Sequence, residues 1–297
     1  MLSGVINVDK PAGMTSHDVV ARVRRIAGQK KVGHAGTLDP DATGVLLVCL
    51  GHATRISDLL AEQGKCYRAV LALGATTSTE DASGTIIEEH DASSITRDAL
   101  IEVTERFIGE VDQIPPMVSA VHHEGQRLYD LARKGIVVER AARRVRFDAI
   151  AVLDFTPGER AAATLDVACG KGAYIRTLCA DIGAALGAGG HMASLRRTRV
   201  GRFETESESS VTLERLQEDG AAAHIVRPSD AVSFLPERRI ETREIADLFN
   251  GKDLPAGPGA SPGALVRLTD DDDELLALAT VTADGARVHP DKVFKRE

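Results

Sequence analysis

The amino-acid sequence predicts an α+β protein: a mixed, largely antiparallel sheet carrying helices, followed by a small, mostly β C-terminal domain. Three observations point there. Strand-like and helix-like segments follow one another irregularly, not in the regular alternation that builds a parallel sheet. No segment repeats at a fixed period, which argues against solenoids and propellers. After about Leu235 the character shifts to short strand-like runs around a Pro/Gly/Ser-rich stretch at 255–263. The 297 residues suffice for one large or two unequal domains, and the expected division is 1–235 and 236–297.

Residues 5–8 read as a short strand and 9–14 as a loop punctuated by Pro11 and Gly13. Thr15, with Asp18 three residues on, has the form of a capping box. A helix is expected from there to about Ala27, with Val19, Val20, Val23 and Ile26 at helical spacing and Gly28 as its stop. A loop at 33–44 precedes a buried strand at 45–50. Residues 52–62 read as helix, 66–73 as strand, 82–84 as a hairpin turn and 96–108 as helix. Pro115 and Pro116 exclude regular helix at 113–121. A helix with a basic face is expected at 127–134, strands at 147–155 and 164–169, a turn at 170–173, and a helix at 174–186 closed by Gly187. Residues 199–203 read as strand and 213–217 as a short helix. Beyond Leu235, 245–249 reads as helix and 265–268, 275–282 and 287–293 as strands. The acidic run 270–274 is most simply a solvated turn, because four consecutive aspartates do not match calcium-loop spacing.

The chain is 43% hydrophobic and 27% charged, as in a globular protein. Aromatics are only 3%, without Trp, so an interface built mainly on base stacking is not expected, and Tyr67, Tyr129 and Tyr174 stand out. The longest apolar runs are far too short to span a bilayer, and residues 1–4 lead into a strand with no charged-then-apolar signal; a cytoplasmic location without membrane contact is expected. Cys49, Cys66, Cys169 and Cys179 form no C-x-x-C pair and read as reduced thiols. Without a P-loop, G-x-G-x-x-G or H-E-x-x-H pattern, neither a nucleotide cofactor nor a metal is expected. Net charge is −8, yet it is uneven: residues 80–112 hold ten acids against two arginines. Residues 9–31 and 122–146 are each net +4, and 191–202 hold Arg196, Arg197, Arg199 and Arg202 without an acid. The three basic segments are either ordinary solvated faces or, if folding gathers them, one positive face for a polyanion.

The stretch 33–44 draws the chemistry. Gly33, Gly36 and Gly44 permit backbone conformations closed to other residues, and Pro40 biases Asp39 toward extended backbone. This is either a plain turn connection or an ordered loop presenting His34 and Asp39. A base-modifying enzyme must hold RNA phosphates, expose one nucleotide and offer a reactive group in a dry pocket. Asp39 could act as nucleophile or base. Arg176 could pair with it and keep it ionised by lowering its pKa. Tyr67 and Tyr174 could stack on a base or donate a hydroxyl. The plainer alternatives are a surface helix residue for Arg176, a sheet residue for Tyr67 and a core residue for Tyr174.

The stretches 8–16, 33–44, 65–68, 114–120, 172–177 and 195–197 closely resemble the bacterial tRNA pseudouridine-55 synthases, the TruB family, in the family's order over roughly residues 4–200. The resemblance implies the pseudouridine synthase fold and isomerisation of U55 in the T arm of tRNA, with base flipping and no cofactor. It implies that Asp39 is the essential carboxylate, that Tyr67 packs on the flipped base and assists proton removal, and that Arg176 pairs with Asp39. His34 would fill the gap left by the nucleotide, Tyr174 and Leu195 would line the uracil pocket, and Lys10 would support the site. Residues 113–146 would embrace the T-loop, and 236–297 would form a PUA-like RNA-binding domain. The partner would be the tRNA T-arm stem-loop, met by a monomer. The reading of another class is a non-catalytic tRNA-binding or tRNA-folding module resting on the same basic segments. A phosphate enzyme without RNA would need a phosphate-binding motif, which the sequence lacks.

Overall fold

The computed structural model describes residues 1–117, 122–123, 126–127, 135–136 and 138–294. Its main sheet runs in the order β14 (Ser210–Val211), β1 (Gly4–Lys10), β3 (Thr43–Leu50), β12 (Gly190–Val200), β4 (Lys65–Leu73), β11 (Ala162–Cys169), β10 (Arg143–Thr156), β7 (Gly109–Gln113). β2 (Val32–Ala35) adds to β3, and β13 (Phe203–Glu204) to β12. β1·β14 and β3·β12 pair in parallel and the other neighbours antiparallel, so the sheet is mixed and largely antiparallel, as expected. Two short ladders stand apart: β5 (Ala75–Thr77) with β6 (Ile86–Glu89), and β8 (His122–His123) with β9 (Gln126–Arg127).

Local chemistry explains the first elements. Thr15 and Asp18 exchange the two bonds of a capping box, and α1 (Ser16–Ala27) closes at Gly28 in a left-handed conformation. α1 buries Val19, Val20 and Val23 against Leu46, Val48 and Leu50 of β3. The alternate residues Val45, Leu47 and Cys49 face the other side. β3 is covered on both faces, which is why it reads as a continuous apolar run. Tyr67, Ala69 and Leu71 of β4 share a third cluster with Leu178 and Ile182 of α4 (Ile175–Ala185). This cluster forms the floor beneath the cavity described below. α2 (Ser57–Ala61), α3 (Arg97–Glu105), α5 (Leu213–Asp219) and α6 (Pro228–Ala231) complete the first part.

The C-terminal part is a five-stranded sheet, β15 (Glu237–Arg239), β17 (Leu265–Thr269), β18 (Leu275–Val281), β19 (Arg287–Val293) and β16 (Leu254–Pro255), with α7 (Ile245–Phe249). Leu275, Leu278 and Phe294 join the cluster that holds Val5, Ala53, Ile56, Val200 and Phe203, so the two sheets share apolar packing. The acidic run is a turn: Asp270 Oδ1 accepts from the amides of Asp272 and Glu274 at 3.0 and 2.9 Å.

Several boundaries differ from the sequence expectation. Gly33 and His34 lie on β2 rather than in a loop. Residues 51–56 form a 3₁₀ turn ahead of α2 instead of continuous helix. β12 starts at Gly190, not near Arg199. Its pairing with β4 slips between Met192 and Ser194 and again between Arg197 and Arg199, which scrambles the two-residue alternation a strand otherwise shows. β15 escaped notice because its residues are charged and mostly exposed. The helix expected at 127–134 lies outside the described residues, apart from Arg127 on β9.

Gly44 has φ 99°, and a Cβ there would sit 2.1 Å from the Arg197 carbonyl oxygen. Gly28 has φ 60° with open space around it. Chemical denaturation should show Gly44→Ala costing about 3 kcal/mol or more. Gly28→Ala should cost only about 1 kcal/mol.

Candidate active site

Between β2 and β3 the chain leaves the sheet for residues 36–42, and its backbone polar groups find side-chain partners there. Lys10, fully buried at the end of β1, donates from Nζ to the carbonyls of Pro11 (2.8 Å), Met14 (2.6 Å) and Pro40 (2.8 Å). Ser16 Oγ accepts from Leu38 N at 2.9 Å and donates to Leu38 O at 3.2 Å. Arg197, 1% exposed, donates to Val45 O (2.7 Å), Thr37 O (3.3 Å) and Gly36 O (3.2 Å). A buried carbonyl without a donor costs free energy comparable to a lost hydrogen bond, so these side chains are what make the loop's path affordable.

The loop presents Asp39 to Arg176 in the first turn of α4. Arg176 Nε lies 3.0 Å from Asp39 Oδ2, and Nη2 donates to Oδ1 at 3.2 Å, a two-point pairing. The same guanidinium lies 3.6 Å from Asp81 Oδ2 and donates to Thr79 O at 3.4 Å. Two carboxylates and a carbonyl thus offset the cost of a cation at a helix N-terminus, where the dipole is unfavourable. Burial pushes the Asp39 carboxyl up from the usual carboxylate value; the Arg176 charge pulls it back, and Asp81 adds to the rise. This corrects the expectation that Arg176 leaves Asp39 with a lowered pKa: desolvation outweighs the pair.

A cavity of about 280 Å³ opens at this pair. Asp39, Tyr67, Tyr174, Arg176 and Leu195 all line it, together with Lys65 and Arg197. Tyr67 is 8% exposed, and burial pushes its phenol up, while Arg197 beside it pulls it down. Burial pushes the Lys10 and Lys65 ammonium groups down to about 8. Tyr174 caps α4 and is held by Gln113, whose amide donates to its carbonyl (3.2 Å) and accepts from its backbone N–H (3.0 Å). His34 is not in the lining; it sits on β2 with its ring 5.4 Å from that of His17, edge to face. Its Nδ1 is buried without a hydrogen-bond partner, and burial lowers its pKa.

Sequence reading missed Asp81, Lys65, Arg197 and Gln113 as parts of this site. Asp81 was hidden in an acidic segment, and Arg197 was counted with a basic face. In fact Arg196 pairs with Asp9 at 2.8 Å and Arg197 is internal, while Arg199 and Arg202 stay exposed, so about half of the 191–202 charge is taken from the surface face. Cys49, Cys169 and Cys179 are buried thiols pushed up to about 12, and Cys66 accepts from Arg199. No group of three or more His, Cys, Asp or Glu side chains among the described residues could hold a metal ion, and no described helix is long and apolar enough to cross a membrane.

Residues 24–175 match the N-terminal domain of the TruB family pseudouridylate synthases, and residues 176–232 match the tRNA pseudouridylate synthase B C-terminal domain. The chain is 46% identical over 268 residues to the tRNA pseudouridine synthase B of Heliobacterium modesticaldum, covering 90% of this chain and 87% of that one. It is 46% identical over 250 residues to that of Symbiobacterium thermophilum, covering 84% and 82%. Among solved structures, a Cbf5-Nop10-Gar1 complex superposes with TM-score 0.76 at 33% identity, covering 98% of this chain and 85% of the other. An H/ACA RNP bound to a substrate RNA containing 2′-deoxyuridine gives TM-score 0.74 at 32% identity, covering 99% and 85%. A carboxylate held by a buried guanidinium at the wall of a cavity, in a chain so similar to these proteins over nearly its whole length, leads to one assignment: the chain belongs to the TruB family of pseudouridylate synthases.

Proposed function

We propose that this chain converts U55 in the T arm of tRNA to pseudouridine, with Asp39 as the essential carboxylate. The observation that carries the reading is the two-point Arg176–Asp39 pair at the wall of a cavity that Tyr67 also lines. Substrate and product are isomers: the C1′–N1 bond breaks, a C1′–C5 bond forms, and the C5 proton ends on N1. Asp39 acts on the flipped nucleotide as nucleophile or base. Its raised pKa makes it a better proton acceptor than an ordinary carboxylate, while Arg176 keeps the ionised form accessible. Tyr67, whose phenol stays protonated near neutral pH, packs on the base. Tyr174 and Leu195 confine the detached uracil, which must turn without escaping or meeting water.

Flipping costs a few kcal/mol of lost stacking and pairing. His34, outside the cavity wall and already edge-on to His17, is suited to occupy the vacancy. The segment 113–146, much of which lies outside the described residues, is assigned the T-loop contact in this reading; Gln113 at its start bonds the backbone of Tyr174. Residues 1–235 carry the reaction, since every lining residue lies within them, and 236–297 serve as a small PUA-like RNA-binding domain. The working unit in this reading is a monomer. A second activity, folding of tRNA without chemistry, would draw on the exposed Arg25, Lys30, Lys31 and Arg143. Charge reversal at Lys30 and Lys31 tests it better than at Arg197, which is internal.

Unmodified tRNA transcript incubated with Asp39→Asn should lose pseudouridine formation by about 10⁴-fold or more, with tRNA affinity retained. Adduct mapping by primer extension reads both the loss and the position; conversion at the wild-type rate would overturn the assignment of Asp39. The pH profile gives an independent check. A raised carboxyl pKa means that the ionised base is lost at higher pH as acid is added, so the acid limb of kcat/KM should lie above the ordinary value of 3.8. In Arg176→Gln the compensating charge is gone, and the limb should move up by about one further pH unit.

A further inference from the structure

The turn that joins β5 to β6 carries a conformational anomaly beside the cavity. Glu80 has φ 63°, the left-handed region that costs any residue with a Cβ. The other described non-glycine residue with positive φ is Asp273, of a type whose short carboxylate tolerates this conformation through local hydrogen bonds. Glutamate is too long for that compensation, and Glu80 bonds elsewhere. Thr177 Oγ1, on the residue after Arg176, donates to Glu80 Oε2 at 2.7 Å. The Glu80 carbonyl accepts from Met192 N at 3.0 Å, on β12 three residues before Leu195. Its neighbours complete the clasp: Thr79 O and Asp81 Oδ2 meet Arg176, and Ala82 N donates to Met192 O at 3.0 Å. One residue therefore ties the turn to both α4 and β12, the two elements that carry Arg176 and Leu195.

Glu80 bears a second cost. The carboxyl of Asp181, one turn along α4 from Thr177, is pushed up to about 6 by burial and by the Glu80 charge. A side chain that combines an unfavourable backbone conformation with a like-charged neighbour is poorly chosen for stability alone.

We propose that Glu80 is a positioning residue for the isomerisation: its hydrogen bond from Thr177 sets the first turn of α4 so that Arg176 keeps its two-point hold on Asp39. This rests on the roles assigned above to Asp39 and Arg176. Gly is the informative replacement, because it accepts φ 63° freely while removing the carboxylate.

The experiment compares wild type, Glu80→Gly, Glu80→Gln, Thr177→Val and the Glu80→Gly/Thr177→Val double variant. Each full chain is measured by single-turnover conversion of unmodified tRNA, by tRNA affinity and by thermal melting. Glu80→Gly should melt at or above the wild-type temperature and bind tRNA equally, yet convert it about tenfold more slowly. Glu80→Gln, which can still accept from the hydroxyl, should recover most of the rate. The double variant should be no slower than the slower single, because both remove one contact. A wild-type rate in Glu80→Gly, a multiplicative loss in the double variant, or a rate loss that tracks lower melting temperature and weaker binding would each overturn the proposal. If wild type itself formed no pseudouridine, the functional reading would fall and this inference with it; if wild type converts and Glu80→Gly converts equally, the inference alone fails.

Discussion

Two buried cations acting on backbone carbonyls hold the site together. Lys10 and Arg197 come from strands on either side of β3, and their donors converge on the carbonyls of 36, 37, 40 and 45. Neither makes an ion pair of the usual kind among the described residues. Each instead exchanges hydration for several carbonyl partners, which suits an ammonium with three donors and a guanidinium with five. The loop that carries Asp39 has no regular secondary structure to satisfy its own polar groups. Its geometry is therefore set by those two side chains, both of which are buried on sheet strands.

The same economy governs the charge inside the cavity. Burial pushes Asp39 toward its neutral form, and Arg176 resists. Arg176 in turn sits at a helix end that disfavours it and is held by Asp39 and Asp81 together. Replacing either carboxylate leaves Arg176 with the other, whereas replacing Arg176 removes the cation that both carboxylates share, a larger penalty than losing an exposed ion pair.

Much of this was legible in the sequence, for identifiable reasons. α1 announced both its ends through Thr15, Asp18 and Gly28, because caps are local chemistry. β3 showed itself as an unbroken apolar run. Residue type nominated Asp39, Tyr67, Tyr174 and Arg176, with plainer alternatives left open; resemblance added Leu195 and favoured one shared site, since the residues come from segments up to 156 residues apart and no periodicity links them. Asp81 and Arg197 were missed because a charged residue reads as surface until its neighbours are known. Here one faces a guanidinium and the other is nearly sealed from solvent. β12 was largely missed because its pleat is interrupted.

That interruption decides which side chains β12 turns to one face of the sheet. Tyr67 and Ala69 lie opposite Arg197 and Leu195, while Leu71 lies opposite Met192. Two residues on β4 thus span three on β12, and the surplus residue is what lets Met192, three residues before Leu195, face the same side as Leu195 and Arg197. In a regular strand residues three apart turn to opposite faces, so the bulge is what keeps Met192 opposite Leu71 while Leu195 stays opposite Ala69. One extra residue thus lets Met192 fill the core beside Leu71 while Leu195 lines the cavity, which a strand of even pleat could not do from the same face.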